Sequence, residues 1–190
     1  MVTADQPDAV LASDAQNGNR RAFDQLVIRH KAQIYRIARH YIGNESDALD
    51  IVQDTFVAAW LGLRSYDAAC DWGAWLRTIA LNKCRDFGRR QTVRRGVMRL
   101  YSLLGVHERT EPSADVAAER LQSEAERLQA LDRAIALLPA AQKEVLVLTA
   151  FAGLSQQEAA RQLKTSVKSV EMKVRRAKHR LEELLRSDGV

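Results

Sequence analysis

Apolar residues recur along most of this chain at three- and four-residue steps, the period of helices that pack on one side. From Arg20 the pattern is regular, and Phe23, Leu26, Val27, Ile34, Ile37, Ala38 and Tyr41 share one face of a predicted helix. The stretch before it is polar and reads as a tail in which a helix begins near Ala9. Gly43 suits a helix end and Asn44 an N-cap, so a second long helix is expected from Glu45 to Leu63. Its expected buried stripe is Leu49, Val52, Phe56, Ala59, Trp60 and Leu63. A loop, RSYDAACD, leads to a helix from Trp72 to Arg90 that mixes aromatic residues with cations. From about Gln91 to Pro112 the periodicity fades, and Gly96, Gly105 and Pro112 mark a linker. Ser113 is expected to cap a helix carrying Leu121, Leu128, Leu131, Ile135 and Leu138. Pro139 stops it and opens the next at the N1 position, which then buries Val145, Leu148 and Phe151 before Gly153.

The last stretch, Leu154 to Leu185, reads as two helices joined by a tight corner. Ser155 with Glu158 three residues on forms a capping box for the first, which has a small apolar face of Ala159, Ala160 and Leu163. Lys164 and Thr165 make the corner, and Ser166 caps the second helix. Val167, Val170, Val174, Ala177, Leu181 and Leu184 form one stripe, and Lys168, Met172, Arg175, Arg176 and His179 fall opposite. That is the pattern of a helix-turn-helix whose second helix enters a DNA major groove. The chain is thus read as all-α: two small helical domains, residues 20–92 and 126–190, joined by a flexible linker at 93–125 and preceded by a tail at 1–19.

Composition sharpens this picture. Three prolines and nine glycines in 190 residues suit an almost wholly helical chain. A net charge of +5 fits a polyanion-binding protein, but its placement matters more. Asp47, Asp50 and Asp54 lie within about 60° of one another on a face of the second long helix, with Gln53 beside them. Phosphates would be repelled there, which leaves a solvated surface or a docking face for a basic protein. By contrast, Lys83, Arg85, Arg89, Arg90, Arg94, Arg95 and Arg99 make the following stretch the basic centre of the first half. Aromatic residues beside cations suit unstacked bases and their phosphates, although Trp75, Leu76 and Ile79 are expected in the core.

Cys70 and Cys84 form no CxxC pair and no ligand cluster with the four histidines, so reduced thiols and no metal are expected. The first residues lack the features of a signal peptide, and no apolar run is long enough to span a bilayer. The expectation is a cytoplasmic protein without membrane insertion. The histidines are scattered, no carboxylate cluster pairs with them, and no Gly-rich phosphate loop appears, so no enzyme and no cofactor are expected.

The order of these signals resembles the extracytoplasmic function sigma factors of bacterial RNA polymerase. AFDQLVIRHKAQIYRIARHYIG is similar to the family's first region-2 helix, and DALDIVQDTFVAAW resembles its Asp-x-x-Gln-acid-x-Phe pattern. WLRTIALNKCRDFGRR resembles the segment that melts and reads the −10 element. LPAAQKEVLVLTAFAGLSQQEAARQL through HRLEELL is similar to region 4, which reads the −35 element. The resemblance implies that Asp47, Asp50, Gln53 and Asp54 dock on the beta-prime clamp helices of core polymerase, whose beta subunit is a further partner. It implies a pocket for a flipped −10 base at Asn82, with Lys83, Arg85, Arg89 and Arg90 on the backbone. The loop from Tyr66 to Trp72 corresponds to the family's specificity loop, which puts Tyr66 and Trp72 in the −10 set. In region 4, Ser155, Lys168, Ser169, Met172 and Arg175 take −35 positions, with Arg176 and Lys178 on phosphate. Two departures stand out: Lys164 replaces the usual turn Gly, and Glu171 stands where a basic residue is common. Promoter DNA and an anti-sigma factor are the other partners implied. The rival reading is a stand-alone helix-turn-helix regulator, which would bind operator DNA without polymerase.

Overall fold

The computed structural model describes residues 6–103 and 129–187, with side chains described through residue 93 and again from residue 129. All regular structure among the described residues is helical. The polar start is not a free tail. Residues Asp8–Gln16 form helix α1, whose Leu11, Ala12 and Ala15 are buried against the next helix. Asp8 pins it there, taking Arg29 Nη1 at 2.8 Å on one oxygen and His30 Nε2 at 2.6 Å on the other. Burial pushes that carboxyl up, but hydrogen bonds from Arg29 and His30, with their charge, outweigh it and hold it below the ordinary carboxylate value.

Helix α2 (Arg20–Ile42) starts at Asn19, whose side chain accepts the Ala22 N–H, and ends at Gly43. Gly43 has φ 82°, and a Cβ built there would stand 3.4 Å from the Asp132 carbonyl oxygen. The position therefore needs glycine for its left-handed backbone. Asn44 caps helix α3 (Glu45–Gly62) by accepting the Asp47 N–H at 3.0 Å. The buried face of α3 is Ala48, Ile51, Val52, Thr55, Phe56 and Ala59. Leu49 and Trp60, expected in that stripe, are exposed instead. Helices α2 and α4 both pack on α3, and Trp60 meets α2 at the rim of that contact, its ring edge-on to Phe23 with centroids 4.9 Å apart. Thr55 satisfies its hydroxyl by donating to the Ile51 carbonyl at 2.7 Å.

A short 3-10 turn, Leu63–Ser65, leads through the loop to helix α4 (Trp72–Leu103). The expected end at Arg90 is overrun by 13 residues. Positions 91–103 contain no proline and only Gly96 as a weak helix former. The helix therefore continues through the stretch in which the apolar period fades. The remainder of the linker, with the expected cap at Ser113 and the apolar positions Leu121 and Leu128, lies outside the described residues.

The second half resumes with α5 (residues 129–136). Pro139 serves as the N-cap of α6 (Ala140–Leu146), one position earlier than expected. A π turn over Val147–Phe151 follows, with the Ala152 N–H donating to the Val147 carbonyl. Helices α7 (Gln156–Gln162) and α8 (Val167–Ser187) complete the chain. Val145, Val147, Leu148, Ala152 and Leu154 lie in one apolar core with Ile34, Ile37, Leu76, Leu81 and Cys84, so the second half is folded back on the first. A smaller core of Ile135, Leu138, Leu146, Ala177 and Leu181 fastens α8 to α5 and α6.

Both cysteines are free thiols, Cys70 exposed and Cys84 buried. Burial pushes the Cys84 thiol up to about 12, which leaves almost no thiolate at neutral pH. Ellman titration should therefore read one fast thiol in the native chain and two in guanidinium. Rapid reaction of both in the native chain would show that the core around Cys84 opens.

Candidate functional site

The C-terminal hairpin is built as its sequence pattern predicts. The Glu158 N–H donates to Ser155 Oγ at 3.2 Å, and the Ser155 N–H donates to Glu158 Oε2 at 2.8 Å. The Ser155 hydroxyl first, and its backbone N–H second, hold the Glu158 carboxyl below its ordinary value by hydrogen bonding to it. The hydroxyl of Ser155 is thus engaged in capping. Ser166 caps α8 by accepting the Ser169 N–H at 3.2 Å. Between the helices, the Lys164 N–H reaches the Arg161 carbonyl at 3.2 Å and the Thr165 N–H reaches the Ala160 carbonyl at 3.0 Å. This is a Schellman closure, and it sets Lys164 at φ 51°, the left-handed region that favours glycine. Lys164→Gly should stabilise the chain by about 0.5–1 kcal/mol, the relief of a left-handed side chain less glycine's added unfolded-state entropy. Thermal melting tests this, and an unchanged or lowered midpoint would remove strain from the account of this turn.

Val170, Ala177 and Leu181 are buried on the inner side of α8. Val174 and Leu184 are half-buried, and Val167 stays exposed. Lys168, Met172, Arg175, Arg176 and Lys178 stand outward and exposed, with Ser169 half-buried among them. His179 is turned to Glu183 on the same helix at 3.5 Å. This outer surface is a basic helix face exposed to water, on which Arg175 and Arg176 also line a cleft with Leu137, Pro139 and Gln142.

On the other half, Asp47, Asp50, Gln53 and Asp54 line one groove of about 380 Å³ together with Lys83, Phe87 and Arg90 from α4. Lys83 Nζ stands 3.9 Å from Asp54 Oδ2, a surface pair that contributes little to stability. The expected polymerase patch and two expected DNA cations therefore share one cleft. Beside it, Leu49, Val57, Trp60 and Leu61 leave an apolar stripe of α3 exposed to water.

Two members of the expected −10 set are placed elsewhere. Trp72 is 1% exposed and Tyr66 4% exposed. With Trp75 they form a triangle of rings, centroids 5.0–5.1 Å apart, and Phe23 adds an edge contact to Trp72 at 6.4 Å. The Tyr66 hydroxyl donates to the Cys70 carbonyl at 2.5 Å, which closes the loop on itself. Rings buried in this way hold the loop's shape and have no free face for a base. Asn82, Arg89 and Arg90 are exposed, and Lys83 and Arg85 are half-buried.

Arg85 has partners that the sequence did not announce. Its Nε and Nη2 donate to the two oxygens of Glu144 at 2.6 and 2.8 Å, and its Nη1 donates to Asn82 Oδ1 at 2.8 Å. The Glu144 carboxylate raises the Arg85 guanidinium above its ordinary value. Asp132 likewise receives Arg39 at 2.7 Å and His40 at 3.1 Å, and the His40 ring stacks on Phe151 with centroids 3.6 Å apart. Gln33 and Arg36 donate to the carbonyls of Ala152 and Phe151 at the end of the π turn, at 2.9 and 3.0 Å. Gln162 donates to the Ala74 carbonyl and Thr78. Glu144 and Asp132 were missed because a single acid in a helical pattern reads as solvated surface. The one clue was Glu144 lying next to the run Val145–Leu148, on the side a packed helix buries. Among the described residues no group of three or more His, Cys, Asp or Glu is placed to hold a metal ion, and no helix is long and apolar enough to cross a membrane.

Known proteins share this organisation. The sigma-70 region 2 family model matches residues 26–94 and the sigma-70 region 4 model residues 128–181. The RNA polymerase sigma factor CnrH of Cupriavidus metallidurans is 41% identical over 188 residues, 96% of each chain. The ECF RNA polymerase sigma factor SigM of Mycobacterium tuberculosis is 34% identical over 185 residues, 95% of this chain and 86% of that one. The solved structure of CnrH in complex with the cytosolic domain of CnrY superposes with a TM-score of 0.70 at 37% identity, covering 95% of this chain and 98% of that one. The sigma factor RpoE of Bartonella quintana, in complex with the anti-sigma factor NepR, gives a TM-score of 0.58 at 27% identity, covering 87% and 98%. The two matched regions, their order and these relatives agree: the chain belongs to the extracytoplasmic function sigma factors of bacterial RNA polymerase.

Proposed function

We infer that this chain joins core RNA polymerase and directs it to a restricted set of promoters. Region 4 takes the −35 duplex on α8, where Lys168, Ser169, Met172 and Arg175 face base edges and Arg176 and Lys178 face phosphate. The N-terminus of α7, capped by Ser155, brings its partial positive charge to the same backbone. Region 2 captures unpaired −10 bases along α4, with Asn82, Arg85 and Arg89 on the strand. Pocket contacts there offset an unstacking cost of a few kcal/mol. The loop held by Tyr66 and Trp72 sets the shape of that pocket from beneath. Asp47, Asp50, Gln53 and Asp54 meet the beta-prime clamp helices, and the exposed Leu49, Val57, Trp60 and Leu61 extend that contact with apolar area. No covalent chemistry is asked of the chain, and its work belongs in the cytoplasm with the chromosome.

The observation that carries this reading is the acidic groove of α3 on a chain whose C-terminal helix face is basic. A carboxylate surface repels DNA and an apolar stripe beside it asks for a protein, so one half is made for a protein partner and the other for duplex. A stand-alone regulator would need no such face. The two solved relatives bound to CnrY and NepR support control by an anti-sigma factor. Run-off transcription with purified core polymerase tests the proposal. Promoter-dependent transcripts should appear only when the chain is added, and their absence from every promoter fragment of the source genome would sink it.

A further inference from the structure

The loop between α3 and α4 is anchored by a helix that precedes region 2. Helix α1 lies ahead of the stretch matched by the region 2 family model, which begins at residue 26. Its last residue, Gln16, reaches across 47 and 50 residues of chain to the start of the loop. Gln16 Nε2 donates to the Leu63 carbonyl at 2.9 Å and to the Tyr66 carbonyl at 2.8 Å, so one amide straddles the 3-10 turn. The beginning of α1 meets the end of the loop through His30. Asp8 holds the His30 ring, and a Cβ built on Gly73, in the first turn of α4, would stand 3.5 Å from its Cε1. A nine-residue helix without a side-chain N-cap is marginal in isolation. Helix α1 therefore owes its place to Leu11, Ala12 and Ala15 in the core and to these polar contacts. Inside the loop the bonds are local. The Tyr66 hydroxyl holds the Cys70 carbonyl, the Ala69 N–H donates to Asp67 Oδ1 at 2.9 Å, and the Ala74 N–H donates to Asp71 Oδ1 at 2.6 Å. Those bonds fix the loop's own shape, whereas Gln16 fixes where its start sits on the domain. Residues 67–71 form an exposed tip between the buried Tyr66 and Trp72. Selecting among bases needs contact groups held to about 0.5 Å, and loops are the segments that open most readily.

We propose that α1 is a working part of the −10 reader: Gln16 is a positioning residue that sets the exposed tip of the loop against the unpaired strand. The proposal rests on the reading of residues 66–72 as the loop that faces the −10 element. Without the Gln16 bonds the two carbonyls turn to water, the turn at Leu63–Ser65 slackens and the tip samples several positions. Base preference at −10 then blurs, while the acidic groove of α3 and the outer face of α8 are untouched. A wrong base in a well-read site costs roughly fivefold to a hundredfold in affinity, so loss of placement should erase about fivefold of that preference.

The test compares holoenzymes of the full chain with purified core polymerase on two pools of promoter fragments. Both pools are built on a promoter that the parent transcribes, one randomised at −10 and one at −35, and each fragment carries a transcribed barcode. Sequencing the barcodes gives the base preference at each element. Gln16→Met keeps the length of the side chain and its preference for helix while removing both donors. It should flatten the −10 preference about fivefold at one position or more and leave the −35 preference and the affinity for core polymerase at the parent's. Gln16→Lys, which offers donors to the same two carbonyls, should recover the −10 profile. Ala68→Lys, on the exposed tip, should change that profile directly. A −10 profile unmoved by Gln16→Met but moved by Ala68→Lys overturns the positioning role and leaves the loop's reading intact. If neither moves it, the reading of the loop falls and the proposal falls with it. Loss of −10 and −35 preference together also overturns it, because a general loosening of the fold gives that result.

Discussion

Replacing Asp50 and Asp54 together by lysine is expected to abolish promoter-dependent transcription while the chain stays folded. Both carboxylates are exposed on α3, and the only pair between them and the rest of the described fold is the loose one from Asp54 to Lys83. Their removal therefore costs little stability. At a protein interface the same change does more than delete attraction, because it sets like charges against a basic partner. Loss of close charge pairs at interfaces costs about 2–5 kcal/mol, so affinity for core polymerase should fall by roughly thirtyfold or more. Co-purification with core polymerase and run-off transcription read the effect, with the melting midpoint as the control for folding. A variant that melts normally and still transcribes at the parent's level would show that the acidic groove is not where polymerase is held.

The second large effect is expected at Trp72 and separates packing from recognition. Truncation of a fully buried tryptophan costs about 3–5 kcal/mol, a large part of the whole stability of a typical domain. Trp72→Ala should therefore melt far below the parent, with loss of the loop from Tyr66 to Asp71 that rests on the ring triangle. Trp72→Phe keeps an aromatic body in the same space and should cost less than half as much, with promoter opening retained. The informative outcome is a Trp72→Phe chain that folds like the parent yet fails to open promoters, since that would return the ring to the DNA-reading set.

Much of this architecture was legible because local chemistry and packing agree. The Ser155 capping box, the Gly43 stop, the Ser166 cap and the stripe on α8 each follow from one helix and its ends, and each is where the pattern puts it but for the exposed Val167. Family resemblance then identified the two halves as region 2 and region 4, and the matched family models agree. What failed depends on partners distant in sequence. Leu49 and Trp60 share the helical period with Phe56, but which arc is buried depends on where α2 and α4 press. Trp72 beside cations reads as a stacking platform until Tyr66, Trp75 and Phe23 are seen to enclose it. The helix through Leu103 outlasts its apolar rhythm because no proline interrupts it. Glu144 and Asp132 are the clearest case. A carboxylate carries no mark in sequence of the guanidinium that will receive it 59 or 93 residues away.

The seam between the halves is greasy as well as ionic: Val145, Leu148 and Ala152 lie with Ile34, Ile37 and Leu81 inside one shared interior. Pulling the halves apart therefore wets hydrocarbon, and no rearrangement of charge alone can compensate for that. A chain folded over in this way keeps that hydrocarbon covered, which guards it against clumping and digestion.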